Sequence, residues 1–138
     1  MRPHPALNFP YVVHHGIASP IIPLQISGIK IHAYVDSGAL ISVFSIKEAD
    51  ALGIDYEKGK KNLMRVGSGS LIEVFFHLLP ITLGPFRFKA HIGFSPKLGA
   101  NFNLLGRKDF FNRFVVIFDD TKQTITFIPR LSRSGKKN

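Results

Sequence analysis

Asp36 ends the apolar run IHAYV and is followed by Ser37, Gly38 and Ala39. A strand that buries alternate side chains delivers this carboxylate close to a core rather than into open water. There it must be hydrogen-bonded or protonated, because an isolated buried charge is costly. Ser37 brings a hydroxyl, and Gly38 lets a backbone N–H approach closely. Two such turns side by side can share one proton. The ionised carboxylate then deprotonates a water while the protonated one polarises a peptide carbonyl. Taken alone, the tripeptide reads better as an aspartate that only caps its own turn.

Other chemistries find less support. The chain has no cysteine, which excludes disulfides, thiolate catalysis and thiolate-bound zinc. His4, His14, His15, His32, His77 and His91 form no H-x-x-x-H or H-x-H pattern near carboxylates, so no metal is expected. No G-x-S-x-G elbow occurs. Gly67-Ser68-Gly69-Ser70 lacks the Gly-Lys-Ser/Thr of a phosphate loop and is flanked by strands, so it reads as a hairpin tip. No cofactor is expected.

The elements that must position Asp36 are short. At 138 residues and 45% hydrophobic the chain makes one domain, and its 13 Phe favour strands. Frequent Pro and Gly cut the apolar stretches into an all-β pattern with one or two short helices. Residues 1–19, rich in Pro and His, read as an irregular lead-in. PIIPLQI and IKIHAYV form a hairpin about Ser27-Gly28, running into the Asp36 turn. LISVFS is a strand, and SIKEADAL a helix with Ser45 as N-cap, Glu48 completing a capping box and Gly53 at the C′ position. Two strands flank the tip Val66, Gly67, Ser68, Gly69 and Ser70. GPFRFKAHIGF is a strand, SPKLGAN a loop and FNLLG the next element. RKDFFNRF reads as a second short helix with Phe110, Phe111 and Phe114 inward. FVVIFDD and QTITFIP close the domain as a hairpin. The halves SGIKIHAYVDSG and LGPFRFKAHIGF match in outline, with Ala33 and Ala90 at equivalent places, as an internal duplication would leave.

Asp36-Ser37-Gly38-Ala39 resembles the Asp-Thr/Ser-Gly-Ala signature of the retropepsins, the retroviral protease family with cellular and bacterial relatives. The order of parts carries the resemblance over roughly residues 20–129. The signature follows a hairpin, the 67–69 tip resembles the family's flap, and Asn103-Leu104-Leu105-Gly106-Arg107 resembles its second hydrophobic-hydrophobic-Gly element. The resemblance implies a retropepsin-like closed β-barrel of the acid-protease fold, one lobe per chain. It implies Asp36 as the catalytic acid/base, braced by Ser37, Gly38 and Ala39. Val66, Gly67, Ser68 and Gly69 would cover bound peptide, and Leu104, Leu105 and Gly106 would pack beside the catalytic loop. Arg107 matches a position that in viral enzymes pairs with an Asp four residues after the catalytic one. That place is Leu40 here, so the ion pair cannot form in the same way.

No second Asp-Ser-Gly or Asp-Thr-Gly occurs, and Glu48, Asp50, Asp55, Glu57, Glu73, Asp109, Asp119 and Asp120 lie in no comparable turn. A pepsin-like single chain is therefore excluded, and the expected enzyme is a homodimeric aspartic endopeptidase acting on extended peptide. QTITFIP is a candidate interface strand or, equally, a core strand of the monomer. The runner-up is a catalytically weak or inactive dimeric module for peptide binding or assembly. The net charge of +9 raises nucleic acid as a partner, but Lys58, Lys60 and Lys61 and the 130–138 ending read better as a solvated loop and a disordered basic tail. No signal peptide or membrane-spanning run is visible, so a soluble cytoplasmic protein without membrane contact is expected.

Overall fold

The computed structural model describes residues 5–98 and 103–130. Part of the expected 95–101 loop and nearly all of the basic tail lie outside them. Three short strands open the described chain: β1 (Leu7–Pro10), β2 (Val12–His14) and β3 (Ile17–Ser19). The irregular lead-in expected at 1–19 is corrected over residues 7–19, and its first four residues lie outside the described ones. β1 gains its partner from the far end of the chain, pairing with β12 (Thr124–Pro129), and no local pattern signals such a pairing.

The central unit begins with β4 (Ile21–Ile26) and β5 (Ile29–Val35), a hairpin whose turn residues Ser27 and Gly28 both have positive φ. That is the backbone of a tight turn matched to strand twist. After Asp36 come β6 (Ser42–Ser45) and helix α1 (Ile46–Leu52), which ends on Gly53 at φ 71°. A short 3-10 turn (Tyr56–Lys58) leads to β7 (Lys60–Arg65), the long β8 (Leu71–Leu83) and β9 (Phe86–Ser95). β10 (Leu104–Leu105) and β11 (Phe114–Asp119) complete the set before β12.

Seven strands are ordered β4-β5-β10-β6-β9-β8-β7, and β4 also pairs with β8 through Gln25–Thr82 and Ile26–Ile81. The sheet therefore closes on itself, and β7 hangs from the barrel as an extension of β8. Closure removes both barrel edges. Its interior is filled by Ile22, Ile26, Val35, Phe44, Ile92 and Phe94, each at most 1% exposed. The three-stranded sheet β1-β12-β11 packs on the same core through Ile125 and Phe127. β12 lies in the middle of that sheet, so both of its edges are already occupied within one chain.

The second expected helix, over RKDFFNRF, does not form. Phe111 donates to the Arg107 carbonyl at 2.9 Å, but Asp109 takes a left-handed φ of 69° and the segment stays a series of turns. The Asp109 carboxylate is held by His91 on β9, and the backbone follows it. Phe110 and Phe114 are nevertheless buried and Phe111 half-buried, as expected.

Candidate active site

The internal match of the two halves is realised in three dimensions. β5 runs parallel to β10, with Tyr34 opposite Leu104 and Val35 opposite Leu105. β6 runs parallel to β9, with Ser42 opposite Ile92 and Phe44 opposite Phe94. β6 and β10 meet antiparallel at Val43 and Leu104. Each half thus sends a strand alongside a strand of the other. Ala33 and Ala90 are both buried, at 1% and 0% exposure.

This crossing holds the Asp36 turn. The Asp36 N–H donates to the Leu105 carbonyl at 3.0 Å, and the Ala39 N–H to the Asp36 carbonyl at 3.1 Å. Gly38 donates its N–H to Asp36 Oδ1 at 2.8 Å, which fixes the carboxylate. A Cβ on Gly38 would sit 3.3 Å from that oxygen, a tight fit against a charged atom. Asp36 is half-buried, while Ser37 and Gly38 are exposed in the single chain.

The Leu104-Leu105-Gly106 element backs the turn. The N–H groups of Arg107 and Lys108 donate to Ala39 and Leu40, each at 2.9 Å, so two successive backbone bonds sew the segments together. Gly106 is required at this crossing. A Cβ there would lie 2.1 Å from the Ile41 carbonyl oxygen, a backbone atom that cannot swing aside. Ser42, wholly buried, accepts the Gly106 N–H through its hydroxyl at 2.9 Å. Arg107 therefore serves the turn through its backbone. Leu40, 67% exposed, leaves the neighbouring surface apolar.

Asn103 is the residue whose role the sequence did not disclose. It is 7% exposed. Its side chain accepts from the Ser45 N–H at 3.0 Å and donates to Glu48 at 2.8 Å and to the His32 carbonyl at 3.0 Å. Ser45 is the N-cap of α1, but its hydroxyl makes no capping bond. The expected capping box is replaced by an amide from the other half of the barrel. The only sequence signal was an Asn directly before the Leu-Leu-Gly element.

The β7–β8 hairpin carries Val66, Gly67, Ser68 and Gly69 at its turn. The tip is braced internally: Val66 N–H donates to Ser70, Gly69 N–H to Val66, and Arg65 Nη1 to the Gly69 carbonyl at 2.6 Å. Its inner face carries Met64, Val66, Ile72 and Val74, which pack with Ile41 and Val43 just beyond the Asp36 turn. The structure therefore brings the hairpin, the Asp36 turn and the Leu-Leu-Gly element to one region. The Gly67, Ser68 and Gly69 side of the tip is exposed.

An open groove of about 580 Å³ runs past Asp36 and Ser37. Tyr34 and Val35 line it from β5, Ile17 and Ala18 from β3, and Phe118, Asp120 and Gln123 from the β11–β12 hairpin. Tyr11 closes one side by donating its hydroxyl to Asp120 at 2.7 Å. Burial first, and then that bond and the nearby Asp120 and Asp119 charges, push its phenol up to about 12. Among the described residues, no three His, Asp or Glu side chains converge as metal ligands would.

A closed barrel with two parallel strand pairs crossing behind an Asp-Ser-Gly turn is the architecture of the retropepsin-like aspartic proteases. The chain belongs to the aspartyl protease family, whose model matches residues 22–108. The fold is similar to that of a retropepsin-like aspartic protease from Rickettsia conorii, with a TM-score of 0.70 at 20% identity, covering 89% of this chain and 98% of that one. It is similar to the retroviral protease-like domain of Ddi1 from Leishmania major, with a TM-score of 0.59 at 21% identity, covering 86% and 98%. It is also similar to EIAV protease complexed with the inhibitor HBY-793, with a TM-score of 0.53 at 20% identity, covering 70% and 88%. No curated protein matches the chain in sequence.

Proposed function

We propose that the protein is an aspartic endopeptidase that acts as a two-fold homodimer, each copy supplying one Asp36. The observation that carries this is the Asp36 turn itself. Its carboxylate is fixed by the Gly38 N–H, left half-buried beside an open groove, and backed by Leu105 and Gly106 from the other half of the barrel. One chain has no second acid in an equivalent turn, and a two-fold axis beside Asp36 supplies it.

In that arrangement two carboxylates close together hold one proton between them, because both cannot be ionised at contact distance. The ionised Asp36 takes a proton from a water as its oxygen attacks the scissile carbonyl carbon. The protonated Asp36 of the other copy gives its proton to the carbonyl oxygen, leaving a gem-diol. One Asp36 then gives a proton to the amide nitrogen as the other takes one from a gem-diol hydroxyl, so the C–N bond breaks to an amine and a carboxylic acid and the pair keeps its single proton. The β7–β8 hairpin acts as a flap, with Gly67, Ser68 and Gly69 at its tip over an extended peptide bound by strand addition. The apolar cluster under it, with exposed Leu40, favours apolar substrate side chains.

The test is cleavage of an unstructured protein at mildly acidic pH by the wild type and by Asp36→Asn. The expected result is cleavage by the wild type and none by the variant, with both dimeric in sedimentation. Undiminished cleavage by Asp36→Asn overturns the mechanism. A dimeric wild type that binds peptide without cutting it identifies a binding or assembly module instead.

A further inference from the structure

We infer that the outer face of the barrel remote from Asp36 is an exosite for acidic peptide, in which Lys30, Arg87, Lys89 and Arg113 form a basic surface beside a groove that takes one apolar side chain. This rests on the proposed endopeptidase and names a class of substrate for it: chains that carry an acidic segment away from the bond that is cut.

Strand register builds this face. Gln25 on β4 stands opposite Lys30 on β5 and Thr82 on β8, and Thr82 stands opposite Arg87 on β9. These residues form one outward row, because their strand neighbours Leu24, Ile26, Ile31, Ile81 and Leu83 are buried. Lys89, two residues beyond Arg87, shares the face and stands opposite Pro80. Arg113 donates Nη2 to the Lys89 carbonyl at 3.4 Å and lays its guanidinium over the Phe88 ring, 4.8 Å from the centre, which fixes a further cation beside the row. Opposing charge is missing. β4, β5 and β9 contain no Asp or Glu, and the one on β8, Glu73, is held by Lys61 at 3.3 Å. Asp109, which approaches β9 at His91, is already bonded twice to that residue. Among the described residues, Lys30, Arg87 and Lys89 enter no ion pair. Fixed cations without counter-charge complement an anionic partner.

A groove of about 240 Å³ opens on the same row, lined by Phe9 of β1, Pro23 and Leu24 of β4, Thr82 of β8 and Lys30 itself. Its apolar walls beside a lysine suit an apolar side chain flanked by carboxylates. Gln25 and Thr82 are paired on both sides, so a ligand here is held by side chains and not by strand addition. Nucleic acid is the less fitting anion, because single strands are held by bases stacked on successive rings, and Phe9 alone brings a ring to these walls. Lys30 lies near the start of β5 and Asp36 directly after its end, so about 20 Å of strand separates them. An extended substrate that reaches both therefore needs at least about six residues between its acidic segment and the bond that is cut.

The probe is a fluorescein-labelled peptide Glu-Glu-Leu-Glu-Glu, with Lys-Lys-Leu-Lys-Lys as its non-binding control. The acidic peptide is expected to bind wild type and Asp36→Asn alike, and to bind Lys30→Glu/Arg87→Glu at least about tenfold more weakly. Lys58→Glu/Lys60→Glu, which removes the same charge elsewhere, is expected to bind as the wild type does. Joined to an unstructured protein substrate through a linker of about ten residues, the acidic segment is expected to lower KM at least about fivefold with kcat unchanged. Lys30→Glu/Arg87→Glu is expected to lose that gain while cutting the unextended protein as before. Equal loss of binding from both double variants makes the attraction one of net charge and overturns the site. Tighter capture of a single-stranded oligonucleotide through Lys30 and Arg87 assigns the face to nucleic acid and overturns the peptide. Peptide binding as expected without any cleavage by the wild type supports the exosite and overturns the endopeptidase. Cleavage by a wild type whose peptide binding ignores Lys30→Glu/Arg87→Glu does the reverse.

Discussion

The two halves of the barrel are built on the same frame but use their acids in opposite ways. In the first half, Asp36 follows β5, accepts one backbone N–H and stays half-buried at the mouth of a groove. In the second half, Asp109 follows β10, and one oxygen accepts both the His91 N–H and the His91 ring nitrogen, each at 2.8 Å. Burial alone pushes the Asp109 carboxyl up, but the two bonds from His91, with the nearby His91 and Lys108 charges, bring it below its ordinary value. The second acid is consumed in holding a turn together, and the first is left available. A duplicated frame need not duplicate a site: counted from Ala33 and Ala90, the place of Asp36 falls at Gly93 in the second half, so that half carries no carboxylate there.

Asp36→Asn gives the largest effect on this comparison. Under the proposed mechanism it is expected to lower cleavage by about 10³-fold or more, with thermal unfolding little changed. Retained stability measured beside lost activity places Asp36 in chemistry and outside the structural frame.

Gly106→Ala attacks the crossing that both halves share. The new Cβ meets the Ile41 carbonyl, and the expected loss is about 3 kcal/mol or more in urea unfolding. A loss below about 1 kcal/mol means that the two segments are not in contact as described.

Asn103→Ala removes the amide that ties the second half to helix α1 in the first. It leaves the buried Ser45 N–H and the His32 carbonyl without their partner, an expected loss of about 2–3 kcal/mol. Asp109→Asn tests the structural acid by its pH dependence. Since the folded chain holds this carboxyl below its ordinary value, the stabilisation is complete above the unfolded-state value and is lost as pH falls through the depressed folded one. The wild type is expected to lose stability along that acid arm and Asp109→Asn to lose less, from a starting point lower by about 1–2 kcal/mol. Ser45→Ala gives the smallest effect, under about 0.5 kcal/mol, against roughly 1 for a bonded N-cap. An equal loss from Ser45→Ala and Asn103→Ala would return the cap to Ser45.

Much of the frame was legible because it is written locally. The Ser27-Gly28 turn, Gly53 after α1 and the alternation of IKIHAYV each depend on a few neighbouring residues. The Leu-Leu-Gly element was legible through its resemblance to the retropepsins, and Phe110 and Phe114 are buried although the helix expected to turn them inward does not form. The failures share a different cause. β1 was read as irregular because its partner β12 lies more than 100 residues away. The helix expected at 107–114 yields to a contact with His91, and the N-cap of α1 to a contact with Asn103, both distant in sequence.

The sequence by itself determined that there is one Asp-Ser-Gly turn, at the end of an apolar strand, in a β-rich chain without cysteine. Only the tertiary structure decided how that turn is held, by Leu105 and Gly106 arriving from the other half. It alone decided that β12 is enclosed between β1 and β11, while β11 pairs with β12 alone among the described residues. Strand propensity and turn chemistry act over a few residues, whereas the pairing of edges depends on which distant segments the closed barrel brings together.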